Sequence, residues 1–259
     1  MGLSSFNTPI TGWQDQRVWV IGASSGIGAA LARQLLANGA RVILSARRTD
    51  LLEHVAGAHP RALVATLDVQ NTADWLGAYR QIQQRFNGVD LVIFCAAAYR
   101  PERSWEVVPE AALQMLAINV GSVYTGLATV LPDMMQRRTG GVALVASVAG
   151  YMGLPTASVY GPSKAALINL AEVLYGDLHS LGMNVYLINP GFVETELTQK
   201  NDYAMPALQT PDQAALAILH GMKRGQFEIH FPKRFTRVLK LVQCLPYRLR
   251  FFLFKRFLA

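Results

Sequence analysis

The sequence predicts a single doubly wound α/β domain, in which helices cover both faces of a mostly parallel, seven-stranded sheet. Short apolar runs alternate along the chain with longer segments whose apolar residues recur at helical spacing. The runs are apolar throughout and do not alternate with polar residues, which is typical of strands covered on both faces. The 259 residues, 51% of them hydrophobic, suffice for one large core.

The predicted strands are aliphatic or β-branched and too short to be helices. They comprise residues 18–21, 41–45, 62–66, 91–94, 142–146, 184–188 and 227–231. Helical spacing occurs between them, for example in segments 28–38, 75–86, 111–135 and 163–181. Strands that are separated by helices form βαβ units, and such units build a parallel sheet.

Most of the chain is close to electrically neutral, because the net charge of +7 is concentrated near the C-terminus. Of the 24 basic residues, eight follow residue 232, whereas none of the 17 acidic residues does. The preceding part carries 16 basic and 17 acidic residues, which gives little support to a nucleic-acid-binding domain. We divide the chain into a short loose leader at 1–16, a main domain at 17–231 and a basic amphipathic tail at 232–259.

Targeting segments and metal sites find no support in the sequence. Residues 1–16 lack a basic start and an apolar run, so we expect no signal peptide. No stretch reaches the roughly 18 uninterrupted apolar residues of a membrane-spanning helix. The two cysteines lie far apart, and no pairing among the five histidines suggests a metal. We therefore expect a reducing, cytoplasmic compartment, with Cys95 as a small packing residue.

The first predicted strand leads directly into a glycine-rich turn, and an amphipathic helix follows. Glycines lack a Cβ, so backbone N–H groups can approach a pyrophosphate, and a helix N-terminus adds positive potential. A G-x-x-x-G-x-G turn between the first strand and its helix therefore predicts a dinucleotide site. The predicted contacts are Gly22, Ser24, Ser25, Gly26, Ile27 and Gly28. The alternative is a tight turn without a ligand.

The second predicted strand ends at Ser45-Ala46-Arg47-Arg48. NAD-binding folds of this type place an acid about 20 residues beyond the glycines, where it binds the ribose 2′-hydroxyl. Here two arginines follow Ala46, and a guanidinium pairs with a 2′-phosphate through two hydrogen bonds. Arg47 and Arg48 therefore predict NADP(H) as the cofactor. The alternative is that both arginines start a solvated helix.

Tyr160 and Lys164 lie four residues apart at the start of a predicted helix, which places both side chains on one face. The reference pKa of tyrosine is about 10, and a nearby ammonium lowers it by favouring the phenolate. Tyr160 could then give a proton to a carbonyl or take one from an alcohol. Ser147 ends the fifth predicted strand, at the edge where open α/β sheets bind ligands. The structural alternatives are a packed tyrosine and a solvated lysine.

The chain resembles the short-chain dehydrogenase/reductase family, with a Rossmann-fold catalytic domain, over about residues 17–231. The matching motifs occur in the family's order and are Gly22-x-x-x-Gly26-Ile27-Gly28, Ile118-Asn119-Val120, Ser147, Tyr160-x-x-x-Lys164 and Pro190-Gly191. Together they are highly specific, whereas Tyr-x-x-x-Lys alone occurs by chance in many proteins.

The resemblance implies a role for each catalytic residue. Tyr160 would be the acid/base, and Ser147 would orient the substrate oxygen. Lys164 would bind the nicotinamide ribose and lower the pKa of the tyrosine. Asn119 would hold a water molecule in a proton relay.

The resemblance also places the adenine near Asp68 and the carboxamide near Thr195. The other implied cofactor contacts are Val69, Ala96, Tyr160, Lys164, Pro190, Gly191 and Val193. Two positions depart from the family pattern. Ile21 stands where the family often has Thr, and Cys95-Ala96-Ala97 stands where it has Asn-Ala-Gly. Both support the cofactor pocket, so the departures bear on cofactor affinity more than on proton transfer.

The tail interleaves its basic residues with Leu, Val and Phe and contains no acid. Such a segment is typical of a membrane interface, where each base near an anionic surface contributes roughly 1 kcal/mol. We expect the tail to bind an anionic membrane surface without spanning it. The alternatives are that it packs on its own domain or forms a subunit interface.

Taken together, the sequence predicts an NADP(H)-dependent oxidoreductase acting on the carbonyl or alcohol group of an apolar or lipid-like small molecule. The alternative is a catalytically silent NADP(H)-binding protein whose tail binds a membrane or a partner. We expect a cytoplasmic homo-oligomer, either a dimer or a tetramer. Binding by the tail would place it at the membrane as a peripheral protein. Residues 196–210 should cover the pocket, although nothing in them names the substrate.

Overall fold

The computed structural model of the chain describes residues 5–200 and 205–257, and its centre is a sheet of parallel strands. The strands are β1 (Arg17–Ile21), β2 (Arg41–Ser45), β3 (Ala62–Val64), β4 (Leu91–Phe94), β5 (Gly141–Val145), β6 (Asn184–Pro190) and β7 (Glu228–Phe231). Their order is β3-β2-β1-β4-β5-β6-β7. The order reverses between β1 and β4, which is the switch point where open α/β sheets bind ligands. The doubly wound fold predicted from the sequence is confirmed.

Helices flank the sheet on both sides. In the described ranges they are α1 (Gly26–Ala37), α2 (Thr49–Ala56), α3 (Thr72–Phe86), α4 (Pro109–Leu116), α5 (Ser122–Arg137), α6 (Tyr160–Leu178), α7 (Pro211–Lys223), α8 (Lys233–Gln243) and α9 (Tyr247–Phe257). A π-helical turn, Ala117–Gly121, joins α4 to α5, so the predicted helix at 111–135 is two helices. Turns of this kind often mark functional sites.

Both faces of the sheet are buried, which explains the uninterrupted apolar runs. Along β1, Val18 and Val20 belong to the core on the side of α1 and α7. Trp19 and Ile21 belong to the core on the side of α3, α5 and α6. The indole of Trp19 donates to Ser45 Oγ at 2.9 Å, so its polar atom is satisfied inside the core.

The segment before β1 is packed on the sheet, which corrects the predicted loose leader. Asn7 is 1% exposed, and its amide donates to the carbonyl of Val185 at 2.8 Å and accepts from the Val185 amide at 3.0 Å. Trp13 joins the core on the side of α1. A single asparagine that pairs with a strand backbone leaves no hydrophobic periodicity, so the sequence pattern did not reveal this contact.

The helical stretch from Pro109 to Arg137 is long and apolar enough to cross a membrane by length and composition alone. In the structure it covers the sheet, because Val123, Leu127 and Val130 are buried in the core. One face of this stretch therefore packs on the sheet, while the other face is exposed.

The two tail helices differ in how they contact the domain. In α8, Thr236 is fully buried and Lys240 pairs with Glu228 of β7, so this helix packs on its own domain, as one alternative proposed. In α9, large side chains such as Tyr247 and Phe252 are exposed. Parts of the predicted leader (1–4), pocket cover (201–204) and tail (258–259) lie outside the described residues.

Candidate active site

A cleft of about 580 Å³ opens at the carboxyl edge of the sheet, beside the switch point between β1 and β4. It is lined by the segments that follow the strands β1 to β6 and by the start of α6. Every predicted site residue except Gly28 and Asn119 lines this cleft. The fold thus brings together residues that lie far apart in the sequence.

Close contacts with neighbouring atoms require glycines in the turn after β1. Gly22 has φ of +91°, and a Cβ on it would lie 2.6 Å from the amide nitrogen of Ala96. Gly26 has φ of +55°, and its Cβ would lie 2.9 Å from Thr195 Cγ2. A Cβ on Gly28 would lie 2.2 Å from the carbonyl oxygen of Gly22, so this buried glycine permits the turn without lining the cleft.

Helix α1 begins at Gly26 on the wall of the cleft. Ser25 is its N-cap residue, and the Ser25 side chain makes no capping hydrogen bond. The first amides of a helix have no partner inside it, and they carry the positive end of the helix dipole. This end of the cleft can therefore bind an anion such as a pyrophosphate.

Arg48 connects the glycine turn to a segment that lies far along the chain. Its guanidinium donates to Ser24 Oγ at 3.3 Å, to Ser25 Oγ at 3.1 Å and to a carboxylate oxygen of Glu196 at 3.3 Å. Arg47 also lines the cleft and is exposed. The sequence analysis missed the contact with Glu196, because no local pattern connects residues so far apart.

Asp68 and Val69, which the resemblance makes cofactor contacts, also line the cleft. Asp68 Oδ1 accepts from the amide of Gln70 at 3.0 Å, and the carbonyl of Val69 accepts from the indole of Trp75 at 3.0 Å. These bonds fix the segment after β3. Its place in the cleft is therefore set by the core and by local turn geometry.

Lys164 is buried in the wall of the cleft next to Tyr160. Its Nζ donates to the carbonyl of Val145 at 2.8 Å and lies 5.5 Å from the centroid of the Tyr160 ring. Burial lowers the pKa of Lys164 to about 8, although the electrostatic interaction with Cys95 acts to raise it. Because Tyr160 is the first residue of α6, the four-residue spacing places both groups on one face, as predicted. The Tyr160 ring also packs edge-on against Tyr99, with centroids 4.8 Å apart.

Ser147 follows β5 and lies in the same cleft. Its Oγ accepts a hydrogen bond from the amide of Ala149 at 3.1 Å. That bond uses a lone pair of the hydroxyl and leaves its hydrogen for another acceptor. Ser147 can therefore donate to an oxygen atom that enters the cleft.

Asn119 lies in the π-helical turn and has a different place from the other candidates. Its amide donates to the carbonyl of Ala98 and to Ser163 Oγ, both at 3.0 Å, and its oxygen accepts from the Ala98 amide at 2.7 Å. Both amide hydrogens are thus committed to protein atoms. The structure shows Asn119 positioning the segment after β4 and the start of α6, and its part in a proton relay stays a prediction.

Several cleft residues were not singled out from the sequence. They are mostly apolar and come from the loops that follow β4, β5 and β6, and they include Tyr99, Leu154, Pro155, Phe192 and Leu197. These loops have no periodicity, so no sequence signal marked them. Leu197 does fall within the segment predicted to cover the pocket.

Nothing in the cleft suggests thiol or metal chemistry. Burial raises the pKa of the Cys95 thiol to about 11, which keeps it protonated and agrees with a packing role. Among the described residues, no group of three or more His, Cys, Asp or Glu could hold a metal ion.

Comparisons with known proteins agree with this geometry. A sequence model of the family described as short chain dehydrogenase matches residues 16–205. An uncharacterized oxidoreductase of Myxococcus xanthus is 33% identical over 231 residues, covering 88% of this chain and 91% of that protein.

Solved structures share the fold. A short chain dehydrogenase/reductase of Burkholderia phymatum in complex with NAD has a TM-score of 0.82 at 20% identity and covers 90% of this chain and 94% of its own. A short-chain dehydrogenase of Sphingobium yanoikuyae in complex with NADPH has a TM-score of 0.77 at 22% identity and covers 90% of this chain and 97% of its own. At such identities the likeness concerns the fold alone.

Proposed function

Because the chain belongs to the short-chain dehydrogenase/reductase family and is an oxidoreductase of that type, we propose that it transfers a hydride between NADP(H) and a carbonyl or alcohol group of an apolar, lipid-like substrate. The observation that carries the proposal is the convergence of Ser147, Tyr160 and Lys164 in one cleft with the glycine turn and Arg48. The predicted alternative, a silent cofactor-binding protein, is not favoured by the family assignment.

The residues of the cleft fit a dinucleotide. A Cβ at Gly22 or Gly26 would collide with atoms that line the same cleft, and α1 begins there without a side-chain cap. The glycines let the turn pack tightly there, and the amides at the uncapped start of α1 are available to a pyrophosphate. Asp68 would then lie beside the adenosine and Thr195 beside the carboxamide, as the family pattern implies.

The preference for NADP(H) rests on the residues after β2. Ala46 lines the cleft where an acid would bind the 2′-hydroxyl of NAD, and Arg47 and Arg48 line it beside Ala46. The guanidinium of Arg48 already binds two hydroxyls of the glycine turn. A 2′-phosphate at this place would receive charged hydrogen bonds from Arg48.

In the reductive direction, the carbonyl carbon receives a hydride and the carbonyl oxygen receives the phenolic proton of Tyr160. The nicotinamide supplies this hydride when bound. The Lys164 ammonium stabilises the negative charge left on the Tyr160 oxygen, and the Ser147 hydroxyl donates a hydrogen bond to the substrate oxygen. Oxidation of an alcohol follows the same steps in reverse.

The apolar substrate class is supported by the lining of the cleft. Leu154, Pro155, Phe192 and Leu197 offer hydrophobic surface, and none of them carries a charge. The experiment is the oxidation of NADPH, followed by absorbance, with aliphatic, acyl-linked and sterol-like ketones. We expect ketone-dependent oxidation with at least one of these classes. NADPH binding without oxidation by any ketone would instead support the silent alternative.

We also propose a cytoplasmic homo-oligomer, a dimer or tetramer. Its support is the exposed apolar surface on the helices of one side of the sheet, where Leu113 of α4 is 67% exposed and Tyr124 of α5 is 56% exposed. Light scattering during size-exclusion chromatography measures the assembly directly. A monomer at micromolar concentration would contradict this proposal.

A further inference from the structure

The exposed side of the two C-terminal helices combines arginines with large apolar side chains, and we call it the tail surface. It comprises Arg234, Arg237, Val238, Leu241, Tyr247, Arg248, Leu249, Phe251 and Phe252. We propose that the tail surface is a docking site for an anionic lipid bilayer. This goes beyond hydride transfer, since neither its evidence nor its test depends on the reaction.

Helix α8 is fixed to the domain by its other side. Thr236 is fully buried, and its hydroxyl lies 2.6 Å from His230 Nδ1. Lys240 pairs with Glu228, which also accepts from the Tyr151 hydroxyl at 2.7 Å. These contacts occupy the inner side and hold the outer side of α8 towards solvent.

The outer side of α8 has the composition of an interfacial helix. Val238 and Leu241 are 57% and 70% exposed, and Arg234 and Arg237 lie beside them on the same face. In the described part of the chain, neither arginine forms an ion pair. Their charge is therefore available to an anionic partner, whereas the charge of Lys240 is balanced by Glu228.

Helix α9 has a similar composition of exposed residues and is held to α8 at the corner between them. The Arg250 guanidinium donates to the carbonyls of Gln243 and Leu245, near the end of α8, the latter at 3.2 Å. This caps α8 and restrains the angle between the helices. Beyond the corner, Tyr247 and Phe252 are 69% and 63% exposed.

A bilayer fits this surface better than a nucleic acid does. A nucleic acid would use the arginines and could stack on aromatic rings, but Val238, Leu241 and Leu249 have no stacking face. The boundary between lipid headgroups and acyl chains accepts aliphatic and aromatic side chains, while arginines bind the headgroup phosphates. The rest of the chain, with 16 basic and 17 acidic residues, has no basic excess, so the charge complementarity belongs to the tail.

Helix α8, which carries part of the tail surface, also contacts the wall of the proposed reaction site. The Phe235 ring of α8 packs on Phe192, a residue of the cleft wall, with centroids 5.8 Å apart. A bilayer bound to the outer side of α8 would therefore be separated from this wall by the helix itself. If the proposed function holds, this position suits a substrate that is dissolved in the membrane.

The test is co-sedimentation of the full-length protein with vesicles of phosphatidylcholine alone or mixed with phosphatidylserine. We expect binding to the mixed vesicles, weaker binding to the neutral ones, and a residual bound fraction at high salt, because apolar insertion is not screened. Failure of the full-length protein to sediment with the mixed vesicles would overturn the proposal.

Two variants separate the charged and apolar contributions. In R234Q/R237Q/R248Q, three lost contacts at about 1 kcal/mol each correspond to about 100-fold weaker binding to mixed vesicles. In L241S/F252S, we expect the salt-resistant fraction to disappear. Undiminished binding of either variant contradicts the docking surface.

A matched control carries the same kinds of change on other helices. R33Q/R80Q/L76S/L216S removes two exposed arginines and two exposed leucines from α1, α3 and α7. It should bind vesicles like the unchanged protein, and thermal melts should show all variants folded. The proposal would be overturned if the full-length protein bound a DNA oligonucleotide but no vesicles. Loss of that DNA binding in the arginine variant would then identify the tail surface as a nucleic-acid site.

Discussion

Glu196 offers the sharpest test of how the cleft selects its cofactor. Its carboxylate lies 3.2 Å from the guanidinium of Arg48, the group proposed to bind the 2′-phosphate. A bound 2′-phosphate would share the guanidinium with this carboxylate, and the two negative charges would repel each other. Glu196→Gln removes the negative charge with little change of shape, so we expect NADPH to bind more tightly and NADH to bind unchanged.

The magnitude follows from two contributions. The ion pair is well exposed, with 45% of the Arg48 and 61% of the Glu196 side chain accessible, so competition from the carboxylate costs about 0.2–1 kcal/mol. Two anions on one guanidinium lie about 7 Å apart, where repulsion in water is about 0.6 kcal/mol per unit charge. With about 1.5–2 charges on the phosphate, the sum is about 1–2 kcal/mol, or roughly 5- to 30-fold in Kd.

Titration of NADPH and NADH by nucleotide fluorescence or calorimetry measures both constants. The matched control is Glu194→Gln, which removes a neighbouring exposed acid that does not line the cleft. The double substitution Arg47→Ala and Arg48→Ala should have the opposite effect and weaken the binding of NADPH much more than the binding of NADH. Equal shifts for the two nucleotides, or no shift in Glu196→Gln, would refute the assignment of Arg48 to the 2′-phosphate.

Three further predictions concern catalysis and the tail. Tyr160→Phe keeps the ring but removes the transferable proton, so turnover should fall by about 10²–10⁴-fold while NADPH affinity stays the same; near-normal turnover would exclude Tyr160 as the acid. Because burial lowers the pKa of Lys164 to about 8, its ammonium is lost as the pH rises through that value. The rate of carbonyl reduction should fall over the same range, and a profile that stays flat there would contradict a role for the charge. A chain that ends at Pro232 loses the cation of Glu228 and the buried Thr236, and should melt at least about 5 °C lower. A chain that ends at Leu245 keeps both contacts and loses only the cap from Arg250, so it should melt closer to the full protein. Equal melting of both truncated chains would show that α8 does not stabilise the domain.

The sheet and the catalytic pair could be predicted because their signals are local. Each strand is buried on both faces, so it appears in the sequence as an uninterrupted apolar run. Tyr160 and Lys164 are placed by helix geometry alone. The glycine turn is visible because Gly22 and Gly26 adopt positive φ at close contacts, which no other residue fills without strain.

The features that escaped prediction depend on contacts between distant segments. The Arg48–Glu196 pair joins residues 148 positions apart, and the partner of Asn7 lies 178 positions away. The π-helical turn was hidden because its apolar pattern is continuous with α4 and α5. The sequence could not show that Asn119 holds two segments together, since its amide hydrogens are donated to the distant residues Ala98 and Ser163.

The contacts of Glu228 also bear on how the chain is completed during synthesis. Tyr151 and Asn189, whose side chains donate to its carboxylate at 2.7 and 2.9 Å, leave the ribosome well before Lys240. Until α8 emerges, a half-buried carboxylate at the edge of the sheet lacks its cation. The last strand and the loop after β5 are therefore expected to settle only after α8 has left the ribosome, even though N-terminal parts of a chain generally fold first.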